Sequence, residues 1–146
     1  MSISYINSVL ENLKTEMEAK IVPGDFYDTA PMIERGAVAW QDTDGKRPFI
    51  WFVSTNIEYE ETLSTTTIVI IDVELHGYAD VDGYGGSDNM MKLLKDLEYF
   101  LLNDYSEPMN LVNCVISEGG VSEEVGQSGF MLSIKIRSEF NTETIN

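Results

Sequence analysis

Residues Thr65 to Tyr78 read TTTIVIIDVELHGY, and this stretch decides the fold of the chain. It opens with a β-branched run over residues 68–71 and then alternates apolar and polar residues, which is the period of two that a strand requires. In the alternating half, apolar residues and a glycine share one face, and the other face carries Asp72, Glu74, His76 and Tyr78. We therefore expect a central strand whose first half is buried on both faces and whose second half is buried on one.

The chain before the central strand predicts one helix and two strands. Apolar residues recur at helical spacing over residues 3–17, and Pro23 ends the helix because proline disfavours a helical residue before it. A first strand is expected from Ile33 to Trp40, and a return strand from Pro48 to Glu61. Because residues 42–45 read DTDG, which is turn chemistry, we expect these two strands to form a hairpin.

The chain after the central strand predicts a second helix and two further strands. The helix runs from Ser87 to about Asn103 with a broad apolar stripe, and we place an ion pair between Lys92 and Asp96 on its solvent side. Strands are expected over residues 111–117 and 129–140, and residues 141–146 form a flexible tail. The whole chain, residues 1–146, is predicted to be one α+β domain, a mainly antiparallel sheet with two packed helices in the order α-β-β-β-α-β-β.

The charge of the chain restricts its partners. Asp and Glu number 25 against 9 Lys and Arg, which gives a formal net charge of −16. Nucleic-acid binding draws its affinity from cations that neutralise phosphates, so specific binding of DNA or RNA is not expected. Hydrophobic residues make up 43 % of the chain, which excludes disorder as the explanation of the charge. No apolar run approaches the roughly 18 residues of a membrane span, so we expect no membrane partner and synthesis in the cytoplasm.

The residues that could carry chemistry do not form a specific motif. His76 shares a strand face with Asp72 and Glu74, and two carboxylates with an imidazole are ligands for a divalent cation. Three ligands on one extended strand rarely converge on one ion, so we interpret this face as solvated and predict no metal site and no cofactor. Cys114 lies among apolar residues of a strand and is interpreted as a small core residue. We expect the protein not to be an enzyme.

The order and length of the elements over about residues 3–140 resemble the tail terminator and tail completion proteins of long-tailed bacteriophages. The resemblance is carried by the strand entered as PFIWF at residues 48–52, the acidic residues 58–61, the Gly/Asp loop before the second helix, and the terminal strand GFMLSIKIRSEF. Members of that group are single α+β domains that assemble as six-membered rings, cap the tail tube, stop its polymerisation and join the tail to the head.

The resemblance implies a structural protein of the virion, made in the host bacterial cytoplasm and present as a homohexameric ring. Its partners would be other copies of itself, the major tail tube protein and a head completion or neck protein. DNA would pass through an acidic lumen without specific binding.

Candidate residues follow for three surfaces of such a ring. Subunit contacts are expected from an apolar patch on the hairpin and from the glycine-rich loop with the outer side of the second helix: Trp40, Trp51, Phe52, Gly83, Tyr84, Met91 and Leu102. Axial contacts to tube or neck proteins are expected from two loops: Asp44, Lys46, Arg47, Glu123 and Glu124. The lumen is expected to be lined by Asp72, Glu74, Asp80 and Asp82.

Other interpretations of the same composition remain open. An acidic protein can mimic DNA and inhibit a nucleic-acid enzyme, and another component of the tail tube or neck would have a similar sequence pattern. A small enzyme or ion-binding module is a further alternative. The loop that begins Asp80-Val81-Asp82-Gly83 is acidic, although it lacks the ligand spacing of a calcium loop.

Overall fold

A computed structural model describes residues 2–38, 48–60, 66–80, 86–117 and 127–141. Two helices and five strands follow one another as α1 (Ser2–Lys20), β1 (Met32–Arg35), β2 (Phe49–Glu60), β3 (Thr66–Asp80), α2 (Gly86–Tyr99), β4 (Met109–Ser117) and β5 (Gln127–Asn141). A π-helical turn, Phe100–Asp104, continues α2. The predicted α+β class and the predicted order of elements are confirmed.

The five strands form one sheet in the order β1-β2-β3-β5-β4, so the predicted central strand lies in the middle. β3 pairs antiparallel with both β2 and β5, and Leu75 stands between Phe52 and Leu132. The face of the sheet that carries Leu75 packs against both helices in a single core. Its β3 residues Val69, Ile71, Val73 and Leu75 are at most 1 % exposed. The sheet therefore has one face covered by helices and one face that no described helix covers.

The first half of β3 is buried on one face only, which corrects the sequence prediction of burial on both. Val69 and Ile71 are fully buried under the helices, whereas Ile68 and Ile70 on the opposite face remain partly exposed. A β-branched run indicates a strand but does not reveal how many faces are covered. The coverage depends on where α1 and α2 pack, and both pack on the same side.

β1 and β2 do not form the hairpin that the turn residues predicted. β1 runs parallel to β2, with Met32 opposite Phe49 and Arg35 opposite Phe52. β1 ends at Arg35 because Gly36, with φ of 90°, turns the chain while its N–H donates to the Phe52 carbonyl at 2.9 Å. Parallel neighbours cannot be joined by a tight turn, so the chain must cross over between them.

Both helices bury the apolar stripes that their spacing predicted. Leu13 and Met17 of α1 and Leu93 and Leu97 of α2 are fully buried. Truncating a buried leucine of this kind to alanine typically costs about 2–5 kcal/mol. No helix within the described ranges is long and apolar enough to span a membrane.

Asp96 lies inside the protein, which corrects its predicted place on the solvent side of α2. Its side chain is fully buried, and its carboxylate accepts hydrogen bonds from the backbone N–H groups of Asp28 and Thr29 and from the Thr29 hydroxyl, at 2.5–3.1 Å. The ion pair on the surface of α2 is formed instead by Lys95 with Asp28. Asp96 thereby fixes the segment between α1 and β1 against α2.

Candidate functional site

The uncovered face of the sheet carries most of the chemistry that the sequence singled out. The register places the even-numbered residues of β3 on this face, opposite Lys135, Ser133 and Met131 of β5. Asp72, Glu74, His76 and Tyr78 are all partly exposed there. The prediction that these four side chains share one face is confirmed, because strand alternation alone fixes it once the opposite face is buried.

An aromatic stack occupies one end of the uncovered face. The Trp51 ring lies parallel to the His76 imidazole, with centroids 3.8 Å apart and planes inclined by 4°. Trp51 Nε1 donates a hydrogen bond of 3.0 Å to the Tyr78 hydroxyl. Trp51 and His76 are direct cross-strand neighbours on β2 and β3, where side chains stand closest together. The stack and the hydrogen bond hold Trp51 flat on the sheet.

The carboxylates of the uncovered face are partly paired. Asp72 accepts a 2.9 Å hydrogen bond from Lys135 Nζ, and this contact raises the pKa of Lys135 above its usual value. Glu74 Oε1 lies 3.2 Å from His76 Nε2. Further along the same face, Arg137 contacts Glu139 at 3.2 Å and Glu60 at 3.8 Å. Exposed pairs of this kind contribute little stability, so their main effect is on the local field.

The arrangement of Asp72, Glu74 and His76 does not converge on an ion. Asp72 is bonded across the sheet to Lys135, while Glu74 and His76 contact each other along β3. Within the described ranges, no group of three or more His, Cys, Asp or Glu side chains has the geometry to hold a metal ion.

The predicted subunit-contact residues fall into different environments. Phe52 is 1 % exposed and packs in the core, so its assignment to a contact surface is wrong: the alternation of β2 turns it towards the helices. Trp51, its neighbour, faces the other way and is partly exposed. Met91 and Leu102 are 47 % and 62 % exposed on the outer side of α2 and of the turn that follows it.

The remaining predicted positions fall in parts of the chain that are not described. These are Trp40, Gly83 and Tyr84 of the subunit contacts, Asp44, Lys46, Arg47, Glu123 and Glu124 of the axial contacts, and Asp82 of the lumen. Asp80 ends β3 opposite Gln127, and its side chain is likewise outside the description.

Sequence reasoning missed the two edges of the sheet. Among the strands that the structure describes, β4 pairs with β5 alone, and its exposed apolar side chains are Leu111, Val112, Val115 and Ile116, at 38–54 %. β1 pairs with β2 only over residues 49–52, so residues 53–60 of β2 pair with β3 on one side and have no described strand on the other. In that stretch Ile57 and Tyr59 are 39 % and 54 % exposed. An apolar strand without a charged residue was the available signal for β4.

Cys114 lies on the β4 edge and is exposed, which corrects its interpretation as a core residue. Partial desolvation, with a smaller contribution from Glu98, raises the pKa of the thiol above its usual value. The thiol is therefore protonated at neutral pH and is not an activated nucleophile.

A groove lies between α1 and β2, at the point where β1 ends. It encloses about 430 Å³ and is lined by Leu10, Arg35, Val53 and their neighbours. Arg35 is held at its rim by hydrogen bonds of 2.7 Å to Asn7 and 2.8 Å to Glu11. The groove begins where β1 ends and lies beside Val53 and Ser54, the first residues of β2 that β1 does not pair with.

Comparison of the chain with protein-family models gives no match, and comparison with curated protein sequences gives no match either.

Proposed function

We propose that this chain is a structural subunit of a long-tailed phage tail, a terminator that forms a ring, caps the tail tube and joins the tail to the head. The observation that carries the proposal is the uncovered, acid-bearing face of a sheet whose other face is a packed core. Such a face belongs to a rigid body and can line a passage. The element order that resembles tail terminators supports the same assignment.

The uncovered face is proposed to face the lumen of the ring. On β2, β3 and β5, the positions of this face that have a described side chain carry five carboxylates, Glu58, Glu60, Asp72, Glu74 and Glu139, against two cations, Lys135 and Arg137. The pairing described above leaves this surface negative. A negative wall repels phosphates, so DNA would pass along it without being retained.

This orientation bears on the predicted subunit contacts. Trp51 lies on the same face as Asp72 and Glu74, so in a ring with that face inward Trp51 forms part of the lumen wall. The contacts between subunits would then be made by the strand edges. Met91 of α2 and Leu102 of the following turn would lie on the outer surface of the ring. The tube and neck proteins remain the proposed axial partners, and the virion remains the proposed location.

The direct test is the mass and shape of the purified protein. We expect native mass spectrometry to give six times the mass of the chain and negative-stain images to show a ring with a central opening. The same rings should appear at the ends of tail tubes when tube protein is added. A particle that stays solitary at high concentration and in the presence of tubes would contradict the proposal.

The alternative of a DNA mimic makes a different prediction for the same sample. A mimic would be a monomer or dimer and would inhibit a nuclease or another DNA-binding enzyme at a stoichiometric amount. We expect no inhibition at equimolar protein and 150 mM salt, because a surface inside a ring is not accessible to an enzyme. Stoichiometric inhibition by a monomeric species would favour the mimic instead.

A further inference from the structure

We infer that copies of this chain assemble by pairing the β4 edge of one copy with the free part of the β2 edge of the next, so that the sheets continue from subunit to subunit. This inference rests on the proposed ring and names the contact that builds it. The edges are β4, residues 109–117, and the free β2 edge, residues 53–60.

β4 itself carries none of the residues that keep sheet edges apart. Solitary proteins protect an exposed edge with charged residues, proline or a covering element, because unpaired backbone groups accept a strand from another chain. β4 reads MNLVNCVIS and contains no charged residue and no proline. Its residues from Asn110 to Ile116 are exposed. In a chain of net charge −16, an uncharged edge of this kind lets two copies approach each other with little repulsion.

The free β2 edge has room for a strand. β1 ends at Arg35, and the groove of about 430 Å³ begins there between α1 and β2. Residues 55–60 of β2 are all exposed. A strand that enters this space would continue the line of β1 and pair with backbone groups that no described strand reaches. Strand addition of this kind draws its affinity from main-chain hydrogen bonds.

The strand directions and lengths of the two edges match. β4 is antiparallel to β5, β5 to β3, and β3 to β2, so β4 and β2 of one chain run in opposite directions. When a second copy continues the sheet with the same face inward, its β4 therefore lies antiparallel to β2. The nine residues of β4 oppose the eight free residues of β2.

The side chains of the two edges also match face by face. Ile57 and Tyr59 are opposite Ile71 and Val69, and therefore lie on the helix-covered side of β2. Leu111 and Ile116 lie on the same side of β4, opposite Ile134 and Phe130. One contact would cover all four exposed apolar side chains. On the other side, Glu58 and Glu60 would meet β4 where it carries Asn110 and Asn113, so no like charges oppose each other.

The occupant of each edge is thus a second copy, arranged head to tail. Pairing of β4 with β4 of a partner would also be antiparallel, but it would leave Ile57, Tyr59 and the groove uncovered. A head-to-tail contact uses two different surfaces on each subunit and closes into a ring when its rotation permits.

The test uses two edge variants and one matched control, each with two added lysines. The β4 variant is Leu111→Lys with Ile116→Lys, and the β2 variant is Ile57→Lys with Tyr59→Lys. The control places the same change at Val22→Lys with Phe26→Lys, which are 48 % and 65 % exposed in the segment after α1 and belong to neither β4 nor residues 53–60 of β2. Circular dichroism and the thermal midpoint establish that each variant is folded, and native mass spectrometry gives its oligomeric state.

We expect each edge variant to be monomeric, the control to keep the ring, and an equimolar mixture of the two edge variants to form a dimer containing one chain of each. A ring retained by either edge variant would overturn the inference while leaving the proposed ring intact. A dimer of the β2 variant alone would indicate β4–β4 pairing and would also overturn it. A wild-type protein that stays monomeric at high concentration and in the presence of tubes would contradict both proposals.

A crosslink tests the same contact without disrupting it. Cys114 is the one cysteine of the chain and lies exposed on β4. In the variants Ile57→Cys and Tyr59→Cys, oxidation with diamide should produce a ladder of disulfide-linked chains on a non-reducing gel. Within one chain β3 and β5 separate the two positions, so the bond must join two copies. A ladder is expected in at least one variant and none in Cys114→Ser backgrounds; its absence in both variants would overturn the pairing.

Discussion

The Phe130 ring lies directly over Gly77, its cross-strand neighbour on β3. A Cβ built on Gly77 would lie no more than 3.0 Å from three carbons of that ring, which is closer than van der Waals contact. Phe130 is 4 % exposed and belongs to the core, so the ring has little freedom to move away. The Phe130 ring can therefore pack in the core only because residue 77 has no side chain.

Replacing Gly77 by alanine should destabilise the protein by about 1–3 kcal/mol, because overpacking forces the Phe130 ring or the strands to shift. Urea denaturation gives the free energy of unfolding. The matched control is Gly24→Ala, where a Cβ would meet only a carbonyl oxygen at 3.9 Å, and no comparable loss is expected there. The double variant Gly77→Ala with Phe130→Leu should lose less than the two single changes added together. Equal stability of Gly77→Ala and wild type would show that the contact is not tight.

Replacing Asp96 by alanine should cost about 3 kcal/mol, because it leaves the buried N–H groups of Asp28 and Thr29 without an acceptor. Asparagine at this position keeps one acceptor oxygen and should lose less. Hydrogen exchange of residues 25–31 should accelerate in Asp96→Ala, since that segment is fixed to α2 through this carboxylate. The control is Lys95→Met, which removes only the exposed ion pair with Asp28. A loss in Lys95→Met as large as in Asp96→Ala would contradict this account.

Above pH 10, the free energy of unfolding should fall with pH because the phenols of Tyr27 and Tyr105 ionise more easily in the unfolded chain. Burial is the main cause that raises the pKa of each phenol above its usual value, and a hydrogen bond to Asp104 adds to it for Tyr27. A group with a raised pKa in the folded state holds its proton there when the unfolded chain has already lost it. Stability from these groups is complete below pH 10 and falls as the pH rises, by about 1.4 kcal/mol per pH unit for each.

The measurement compares wild type with Tyr27→Phe and Tyr105→Phe between pH 9 and pH 12. Each variant should lose stability less steeply with pH than wild type. At neutral pH, Tyr105→Phe should be neutral or slightly stabilising, since the buried Tyr105 hydroxyl has no hydrogen-bond partner within the described ranges. Profiles that superimpose on wild type would contradict the raised pKa values.

Replacing Trp51 by alanine should lower the stability of the fold by about 1–3 kcal/mol and leave the ring intact. The change removes the stack on His76 and the hydrogen bond to Tyr78, which lie within one subunit. Trp51→Phe keeps an aromatic ring that can stack on His76 but has no hydrogen-bond donor. Its stability should lie between those of wild type and Trp51→Ala. Sizing of the variants decides the role of this residue: dissociation of the ring by Trp51→Ala would place Trp51 in the subunit contact, as its residue type had suggested.

Reversing the charge of Glu74 should affect DNA passage rather than assembly. Glu74→Lys adds a cation to the proposed lumen wall in every subunit, and DNA phosphates would then be retained. We expect rings of normal size and slower DNA ejection from assembled particles. The control is Glu18→Lys, the same change on an exposed position of α1. Normal ejection by Glu74→Lys particles would remove the uncovered face from the lumen.

Local patterns in the sequence were sufficient to predict the type and order of the elements and the apolar stripes of β3 and α2. The alternation of β3 identified which side chains face the helices, and the spacing in α2 identified its buried stripe, because both depend only on backbone geometry. The order of elements followed from the same patterns. These predictions required no knowledge of which elements meet.

The errors all concern contacts between distant parts of the chain. The parallel pairing of β1 with β2 contradicts a strong turn signal, and the burial of Asp96 contradicts its polar residue type. Phe52 lies in the core and Cys114 lies exposed on β4, the reverse of what the sequence predicted, because burial depends on which positions of the sheet the helices cover.

The sequence by itself determined the type and order of the elements, the apolar stripes of the two helices, the alternation of β3 and the large negative charge. Only the tertiary structure decided the strand order, the side on which both helices pack, and therefore which strand edges remain free. The reason is physical: periodicity records the environment of each residue along one element, whereas pairing partners and edges arise from contacts between residues that are far apart in the chain.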